Sequence, residues 1–505
     1  MTSPKPLIYA ELLPNIRQIS VLAALPTPSD ATTRVSLSAD RAVLTLVHNG
    51  ATASLQLPGA IAPAYTPTQP HSTLAQLSWR IPLVASPSQP RAAPSLPAPW
   101  SAGALANTSS FFCRGCRGVI LPSGRVTTWR DLPSENWAEM MEFWHCHKPD
   151  VPVGEKGEEE GGDNTMKGYG ANTRMMAQKG VGKVDLTYFL LDSEDCSGLE
   201  SGIKKAACQL NASVARSPIQ MPQSDSSTPF QDGECTLSNR EWVTLPSGFS
   251  GFSMGEYLGL DEEHNSYLPT SRPQPSAISS EPLFHKQTNP LQTSPSSLAL
   301  SCASCAAQIG ASTPAGYQLY KWSLSLTALL TTSTSSPTTQ LAPTSPPLPH
   351  FLLPQLQAQS SALGVSKFII RPPPPPADAE GQSNTDAEVG VYVWLFAPSL
   401  TVSFSSLSSL SSNSPPSTPL HDSPPPALPA SKLLFRPAPP RDEATAILDA
   451  PNSAVEEVRL PASVVRAFTT LLQESNARLP EGARAFAGGW DVGILEVWDG
   501  GEGGV

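Results

Sequence analysis

The sequence predicts a mainly β protein with antiparallel sheets and a few short helices. Short segments alternate apolar and polar residues, as at Leu77, Trp79 and Ile81, which places every second side chain on one face of a strand. Asn49-Gly50 lies between two such segments, and this dipeptide strongly favours a hairpin turn. The chain of 505 residues contains 55 prolines and only 15% charged residues, so its Ser-, Thr- and Pro-rich stretches are predicted to form long disordered insertions.

Composition divides the chain into four regions. They are an amino-terminal β region with a C-x-x-C motif and a Trp-rich helix (5–195), a mostly disordered insertion (196–296), a segment with a second C-x-x-C motif and a strand (297–330), and a carboxy-terminal α+β region with Ser/Pro-rich linkers (366–500). Within the first and third regions, periodic apolar residues predict single strands over 184–191 and 320–326.

The carboxy-terminal region is predicted to hold several strands and one helix. Residues 389–396 and 400–404 are interpreted as a hairpin around 397–399, because Pro398 interrupts the pattern. Further strands are predicted at 367–371, 432–436, 444–450 and 490–498. Pro461 is expected to open a helix with an apolar stripe that includes Val464, Val465 and Phe468.

Two C-x-x-C motifs are the main chemical feature of the sequence. They are Cys113-Arg114-Gly115-Cys116 and Cys302-Ala303-Ser304-Cys305, separated by nearly two hundred residues. Two thiolates at this spacing can bind one tetrahedral cation from a tight loop, and two such pairs close a structural zinc site. The sequence therefore predicts a zinc knuckle held by Cys113, Cys116, Cys302 and Cys305. Buried thiols that act as small apolar residues are the other interpretation.

A local ligand set is the alternative for the metal. His145, Cys146 and His147 follow a predicted helix that begins near Ser134 and carries Trp137 on its apolar face. Cys146 with His145 or His147 would complete a site begun by the first C-x-x-C motif. Cys146 is also a candidate catalytic nucleophile, because a neighbouring imidazolium lowers a thiol pKa. The plainer interpretation is that Cys146 and His147 cap the helix or complete a metal site.

A four-cysteine zinc would contribute to folding and not to catalysis. It would join the two halves of the chain into one cooperative unit, since metal-binding energy is folding energy. A closed site of four thiolates leaves no position for a reactive water, so metal catalysis is not expected.

Charge and hydropathy exclude other classes of protein. The net charge of −11 and the lack of a basic stripe argue against nucleic-acid binding. No run reaches the roughly 18 apolar residues needed to span a membrane, and the first residues do not form a secretory signal. The eight cysteines are therefore expected to be reduced thiols or metal ligands.

The ordered motifs resemble a known family. CRGC at 113–116, LPSENWAEMMEFWHCHKPD at 132–150, CASCAAQIG at 302–310 and LPASVVRAFTTLLQESNARLP at 460–480 are similar in kind and order to the HECT-like proteins that bind ubiquitin-conjugating enzymes. The resemblance implies a ubiquitin-protein ligase that binds a ubiquitin-conjugating enzyme and ubiquitin and modifies lysines of a protein substrate or of itself. Substrates of the cyclin type and a cytoplasmic and nuclear location are also implied by the family.

The sequence departs from HECT ligases at one position. These enzymes form a thioester on a cysteine near the carboxy terminus, whereas no cysteine follows Cys305 here. Either Cys146 forms the thioester, or the protein holds the conjugating enzyme and substrate together without a covalent intermediate. A non-catalytic scaffold that binds protein partners is the alternative function.

Overall fold

The computed structural model describes residues 5–70, 74–84, 95–133, 175–201, 297–327, 344–374, 389–405, 424–451 and 453–500. All of these residues belong to one compact unit, which spans 1–211 and 288–505. The mainly β fold class is confirmed. The predicted helix after Ser134 and residues 202–296 of the predicted insertion (196–296) lie outside the described residues, whereas residues 196–201 are described and include the strand Leu199–Ser201.

The described residues form twenty-two strands, four helices and three 3-10 turns. In chain order the strands are β1 (Leu7–Leu13), β2 (Gln18–Ala24), β3 (Arg34–Leu37), β4 (Val43–His48), β5 (Ala51–Gln56), β6 (Gln76–Pro82), β7 (Ser110–Cys113), β8 (Val119–Leu121), β9 (Thr128–Asp131), β10 (Val181–Val184), β11 (Tyr188–Leu191), β12 (Leu199–Ser201), β13 (Leu298–Cys302), β14 (Gln308–Thr313), β15 (Gly316–Tyr320), β16 (Leu324–Thr327), β17 (Lys367–Arg371), β18 (Val391–Phe404), β19 (Leu428–Pro437), β20 (Val455–Arg459), β21 (Ala485–Phe486) and β22 (Trp490–Glu496). The helices are α1 (Pro349–Leu363), α2 (Arg441–Asp449), α3 (Ala462–Ala477) and α4 (Glu481–Arg484), and the 3-10 turns are Pro14–Ile16, Ala102–Ala104 and Lys321–Ser323.

The strands form four sheets. A nine-stranded sheet has the order β21-β22-β19-β18-β1-β2-β6. Its other two strands are β17, which pairs with β18, and β20, which pairs with β17. A seven-stranded sheet has the order β12-β13-β14-β15-β11-β10-β9, and two three-stranded sheets have the orders β16-β7-β8 and β3-β4-β5. The β3-β4-β5 sheet shares a buried apolar cluster with β1, β2 and β6. No helix among the described residues is both long and apolar enough to cross a membrane.

The long strand β18 organises the nine-stranded sheet. The predicted hairpin over 389–404 is wrong, because Val391–Phe404 is one continuous strand. Its register with β19 shifts between Leu395 and Leu400, so the Pro-containing segment makes a bulge and not a turn. The strand therefore continues past the bulge and pairs with β17 on its first half and with β1 on its second half.

Two predicted single strands are each divided in the structure. The segment 184–191 turns between β10 and β11, where the Asp185 carboxylate accepts hydrogen bonds from the backbone N–H and hydroxyl of Thr187 at 3.0 and 2.9 Å. The segment 320–326 is interrupted by the 3-10 turn Lys321–Ser323. Tyr320 ends a strand of the seven-stranded sheet and Leu324 begins a strand of another sheet, so one apolar alternation serves two sheets.

The structure contains helices that the sequence patterns did not predict. The predicted strand at 444–450 is wrong, because Arg441–Asp449 is the helix α2, which buries Ala444 and Leu448 at i and i+4. The helix α1 was not predicted for two reasons. It is buried along most of its length and therefore lacks a clear polar face, and it contains Pro354, a residue that is unfavourable in a helix interior. The helix predicted after Pro461 is confirmed as α3, which buries Val464, Val465 and Phe468.

An aromatic cluster fills the centre of the largest core. Phe189 of β11 lies 4.7 Å from the ring of Phe111 in β7 and 5.6 Å from Trp129 in β9, measured between ring centroids. Trp100 packs against Phe111 at 5.7 Å. These rings bring the β16-β7-β8 sheet against the seven-stranded sheet, and Phe111 is two residues from Cys113 on the same strand.

A close approach between β14 and β15 gives a first testable prediction. A Cβ atom on Gly310 would lie 2.0 Å from the carbonyl oxygen of Gln318. We expect Gly310→Ala to lower the free energy of unfolding by about 1–3 kcal/mol, because the two strands would have to separate. Urea denaturation followed by tryptophan fluorescence measures this loss.

Gly103→Ala is the matched control for this substitution. No heavy atom lies within 4 Å of the position of its Cβ atom. We expect a change within about 0.5 kcal/mol. Equal unfolding midpoints for the two variants would contradict the strand contact at Gly310.

Candidate metal centre

Two hairpins from distant parts of the chain carry the C-x-x-C motifs. Cys113 is the last residue of β7, and the chain returns through Cys116 into β8, which pairs with β7. Cys302 is the last residue of β13, and the chain returns through Cys305 into β14, which pairs with β13. Each motif therefore lies at the tip of a hairpin.

The two tips have the same backbone hydrogen bonds. The N–H of Cys113 donates to Gly118 at 2.8 Å, and the N–H of Arg117 donates back to Cys113 at 2.9 Å. The N–H of Cys302 donates to Ala307 and the N–H of Ala306 donates to Cys302, both at 2.8 Å. These bonds fix each pair of cysteines in a tight turn.

The residue after each second cysteine adopts the left-handed conformation. Arg117 has a φ of 64° and Ala306 has a φ of 58°. A non-glycine residue in this region carries a conformational cost, which the surrounding hydrogen bonds must offset. The strain recurs at the equivalent position of both tips, which is typical of a site that constrains the thiol directions.

The four thiols meet at one place. The sulfurs of Cys113 and Cys305 are 3.6 Å apart, those of Cys116 and Cys302 are 3.5 Å apart, and all four lie within 4.8 Å of one another. A tetrahedral ion with zinc–sulfur bonds of about 2.3 Å places its sulfurs about 3.8 Å apart. The donor set and its spacing fit one tetrahedral metal ion. His145, Cys146 and His147 lie outside the described residues.

Glycines leave space beside the sulfurs. A Cβ atom on Gly118 would lie 3.4 Å from the sulfur of Cys116 and 4.0 Å from that of Cys302. A Cβ atom on Gly115 would lie 3.8 Å from the sulfurs of Cys113 and Cys305. Both sets of distances are ordinary van der Waals contacts, so an alanine at either position would fit beside the thiols.

The environment of the thiols is uneven. Cys113 and Cys302 are buried, whereas Cys116 and Cys305 are exposed. Burial raises the pKa of the Cys113 thiol to about 12. Burial also acts to raise the pKa of Cys302, but hydrogen bonds from the backbone N–H groups of Cys305 and Ser304 and from neighbouring thiols outweigh it and lower that pKa to about 7. A bound cation would compensate for the mutual repulsion of four thiolates.

Residues that sequence reasoning missed hold the two tips in place. The backbone N–H of Arg114 donates to Ser323 at 3.0 Å, and its guanidinium donates to the carbonyls of Trp322 and Pro346, both at 3.2 Å. On the other tip, the N–H of Ala303 donates to Gly198 at 2.9 Å. The turn-forming pair Ser197-Gly198 is a local signal for such a contact, but its partner is visible only in the fold.

Cys196 is the fifth described cysteine and lies outside the cluster. It is half-buried, and burial raises the pKa of its thiol to about 12. Carboxylates of Asp195 and Asp192 act in the same direction. This thiol is therefore protonated near neutral pH and unsuited to nucleophilic chemistry.

Comparison with known proteins gives short matches and one long match. A stretch of 54 residues is 41% identical to an uncharacterized protein of Saccharomyces cerevisiae and covers 10% of this chain and 16% of the relative. A stretch of 53 residues is 38% identical to an uncharacterized protein of Schizosaccharomyces pombe and covers 10% of this chain and 15% of the relative. No solved structure matches the chain at a significant level.

The long match covers nearly the whole chain. Residues 11–492 match the family described as HECT-like ubiquitin-conjugating enzyme (E2)-binding. This range includes both C-x-x-C hairpins and residues from all four sheets. The chain therefore belongs to the HECT-like ubiquitin-conjugating enzyme (E2)-binding family.

Proposed function

We propose that this protein binds a ubiquitin-conjugating enzyme and promotes transfer of ubiquitin to lysines of a protein substrate or of itself. The family match over residues 11–492 is the observation that supports this function. Ubiquitin and a substrate, including substrates of the cyclin type, are the further partners of the proposal, and the cytoplasm and nucleus are its proposed location.

Zinc has a structural role in this proposal. Cys113, Cys116, Cys302 and Cys305 would hold it, and their distances fit a four-thiolate site. When bound, the ion supplies four bonds that fasten the tip of the β7–β8 hairpin to the tip of the β13–β14 hairpin. The strands and backbone hydrogen bonds of the protein position the four thiols. A site closed by four thiolates has no free coordination position, so ubiquitin transfer would take place in other parts of the molecule.

The mechanism of transfer has two forms. In the first, the protein brings the charged conjugating enzyme and the lysine together, and catalysis comes from proximity. In the second, Cys146 accepts ubiquitin as a thioester before passing it to the lysine. We favour the first form, because adjacent histidines such as His145 and His147 seldom point at the thiol between them, and because no cysteine follows Cys305 in this sequence, where HECT ligases carry the thioester.

Reconstitution tests the proposed function. The purified full chain is mixed with ubiquitin-activating enzyme, ATP, ubiquitin and a panel of conjugating enzymes, and binding is measured separately by calorimetry. We expect at least one conjugating enzyme to bind and to discharge ubiquitin onto lysines faster in the presence of the chain. Absence of binding to every conjugating enzyme in the panel would refute the proposal.

The variant Cys146→Ala separates the two mechanisms. In the proximity mechanism this variant keeps the wild-type rate of lysine modification, as does the control Cys196→Ala. Loss of an adduct that reducing agent cleaves, together with loss of activity in Cys146→Ala alone, would instead establish the thioester. A stable complex with protein partners that excludes conjugating enzymes would favour the scaffold function.

A further inference from the structure

Three aromatic side chains meet at the surface of the nine-stranded sheet. Trp394 and Phe396 alternate along β18 and therefore project from the same face, and Phe486 reaches them from the edge strand β21. The ring centroid of Phe486 lies 5.3 Å from that of Phe396 and 6.3 Å from that of Trp394. Phe396 is 43% exposed and Phe486 is 41% exposed. These three residues form a contiguous aromatic patch that is partly open to solvent.

Phe486 lies on an exposed turn and contributes little to the core. Residues 485–489 are all exposed, and the two-residue strand β21 pairs with β22 alone among the described strands. Single apolar side chains are common at a protein surface, whereas a contiguous apolar group is typical of an interaction site. The position of Phe486 beside Trp394 and Phe396 therefore favours contact with a partner.

Two cationic side chains border the aromatic patch. The Nζ atom of Lys367 on β17 lies 4.9 Å from the centroid of the Trp394 ring. The guanidinium of Arg436 on β19 lies 5.0 Å from the ring centroid of Tyr392 and 4.5 Å from that of Trp490. Strands β17 and β19 pair with opposite sides of β18. A ligand that covers the patch would therefore meet one cation on each side of β18.

Neither cation is neutralised by a carboxylate of the described residues. Lys367 and Arg436 take part in none of the ion pairs in this part of the chain, whereas Arg371, on the same strand as Lys367, is paired with Glu457. Both residues are partly exposed, so their N–H groups are accessible to a ligand. An unpaired ammonium and an unpaired guanidinium are complementary to carboxylates of a partner.

The geometry of the rings favours a protein partner over a single-stranded nucleic acid. The planes of Trp394 and Phe396 meet at 77°, and those of Trp394 and Phe486 meet at 89°, so the rings form no flat platform. Successive bases stack on exposed ring faces and need a row of cations along their phosphates. Two cations beside mutually tilted rings instead match one or two carboxylates around an apolar side chain.

We propose that the aromatic patch binds a segment of a partner protein in which an apolar side chain is flanked by carboxylates. The apolar side chain packs on Phe396 and Phe486, and the carboxylates accept hydrogen bonds from Lys367 and Arg436. Because aromatic rings already hold both cations in place, less side-chain entropy is lost on binding. This surface is defined by its own side chains and does not depend on ubiquitin transfer.

Peptide selection on the full chain tests the patch. A phage-displayed library of random dodecapeptides is selected in parallel on the wild type and on Phe486→Ala, whose urea midpoint is expected to stay close to that of the wild type because Phe486 is exposed. We expect peptides enriched on the wild type to share an apolar residue flanked by Asp or Glu, and to bind Phe486→Ala at least about tenfold more weakly. Leu74→Ala removes an exposed apolar side chain outside the patch and should keep the wild-type affinity.

Lys367→Glu gives a readout that loss of packing alone would not produce. The enriched peptide should bind this variant at least about tenfold more weakly than the wild type. In copies of the peptide, each Asp or Glu is replaced in turn by Lys, and at least one copy should bind Lys367→Glu more tightly than the wild type. Arg34→Glu, at an exposed position of β3, changes the net charge equally and should leave every affinity unchanged.

Two results would overturn the site. One is that no peptide is enriched on the wild type, or that the enriched peptides bind Phe486→Ala and Lys367→Glu as tightly as the wild type. The other is that a fluorescein-labelled single-stranded oligothymidylate binds the wild type and loses affinity in both variants, which would identify a nucleic-acid surface. Reconstitution with conjugating enzymes is measured separately, so a failure of this site is distinguishable from a failure of the proposed function.

Discussion

Replacing Cys302 with serine is expected to abolish zinc binding and to destabilise the protein by at least about 5 kcal/mol. Structural zinc contributes on the order of 10–16 kcal/mol to folding in zinc-finger peptides, and whole domains are stable by only about 5–15 kcal/mol. Cys302 is buried and its sulfur lies 3.5 Å from that of Cys116, which is 186 positions away in the chain. The ion is thus expected to join two hairpins that lie far apart in the sequence.

Zinc content and unfolding are measured together on the full chain. Mass spectrometry of the metal should give one zinc per wild-type chain and well under one for Cys302→Ser, with a lower urea midpoint for the variant. Cys196→Ser is the matched control, because Cys196 lies outside the cluster, and it should keep its zinc. One zinc per chain in Cys302→Ser with an unchanged midpoint would contradict this role for the cluster.

Phe189→Ala should lower the free energy of unfolding by about 3–5 kcal/mol. Large-to-small substitutions of fully buried phenylalanine lose burial energy and leave a cavity. Phe189 is 0% exposed and contacts the rings of Phe111, Trp129 and Trp100, which come from three separate segments. Its loss would loosen the contact between the seven-stranded sheet and the sheet that carries Cys113. Urea denaturation followed by circular dichroism measures the effect.

Phe396→Ala is the control for the aromatic cluster. Phe396 is 43% exposed at the surface, although its ring lies 5.3 Å from that of Phe486. We expect a loss of about 1 kcal/mol or less. If the two alanine substitutions destabilised the protein equally, Phe189 would not be the centre of the core.

Local signals in the sequence predicted much of the β structure. The Asn49-Gly50 turn joins β4 to β5 with His48 opposite Ala51, and both turn residues have positive φ angles, as a tight hairpin turn requires. The strand at 367–371 and the helix after Pro461 also formed as predicted. In each of these elements the residues that decide the structure are neighbours in the sequence.

Signals that depend on distant partners were misinterpreted. A proline often ends a strand, and Pro398 was interpreted in this way. In the structure β18 pairs with β19 on both sides of Pro398 and continues through a bulge. The helix α1 was missed because it is buried on nearly all sides and therefore lacks the polar stripe by which sequence patterns identify helices. The parallel pairing of β17 with β20 likewise joins segments whose sequences do not indicate a partner.

The candidate site shows the same division. The C-x-x-C spacing predicted each half of the cluster, because both thiols of a half lie on one turn. The supporting contacts of Arg114 and Gly198 depend on segments that meet only in the folded chain. The spacing of the cysteines predicts the ligand chemistry, whereas the contacts that bring the two hairpins together come from tertiary packing.

X-ray absorption at the zinc edge of the purified full chain tests the central claim most directly. One ion held by Cys113, Cys116, Cys302 and Cys305 predicts a first shell of four sulfurs at about 2.3 Å and no nitrogen. A shell that contains imidazole nitrogen at about 2.0–2.1 Å would instead identify the local ligand set of Cys146 with His145 or His147. That result would contradict a metal that joins the two hairpins.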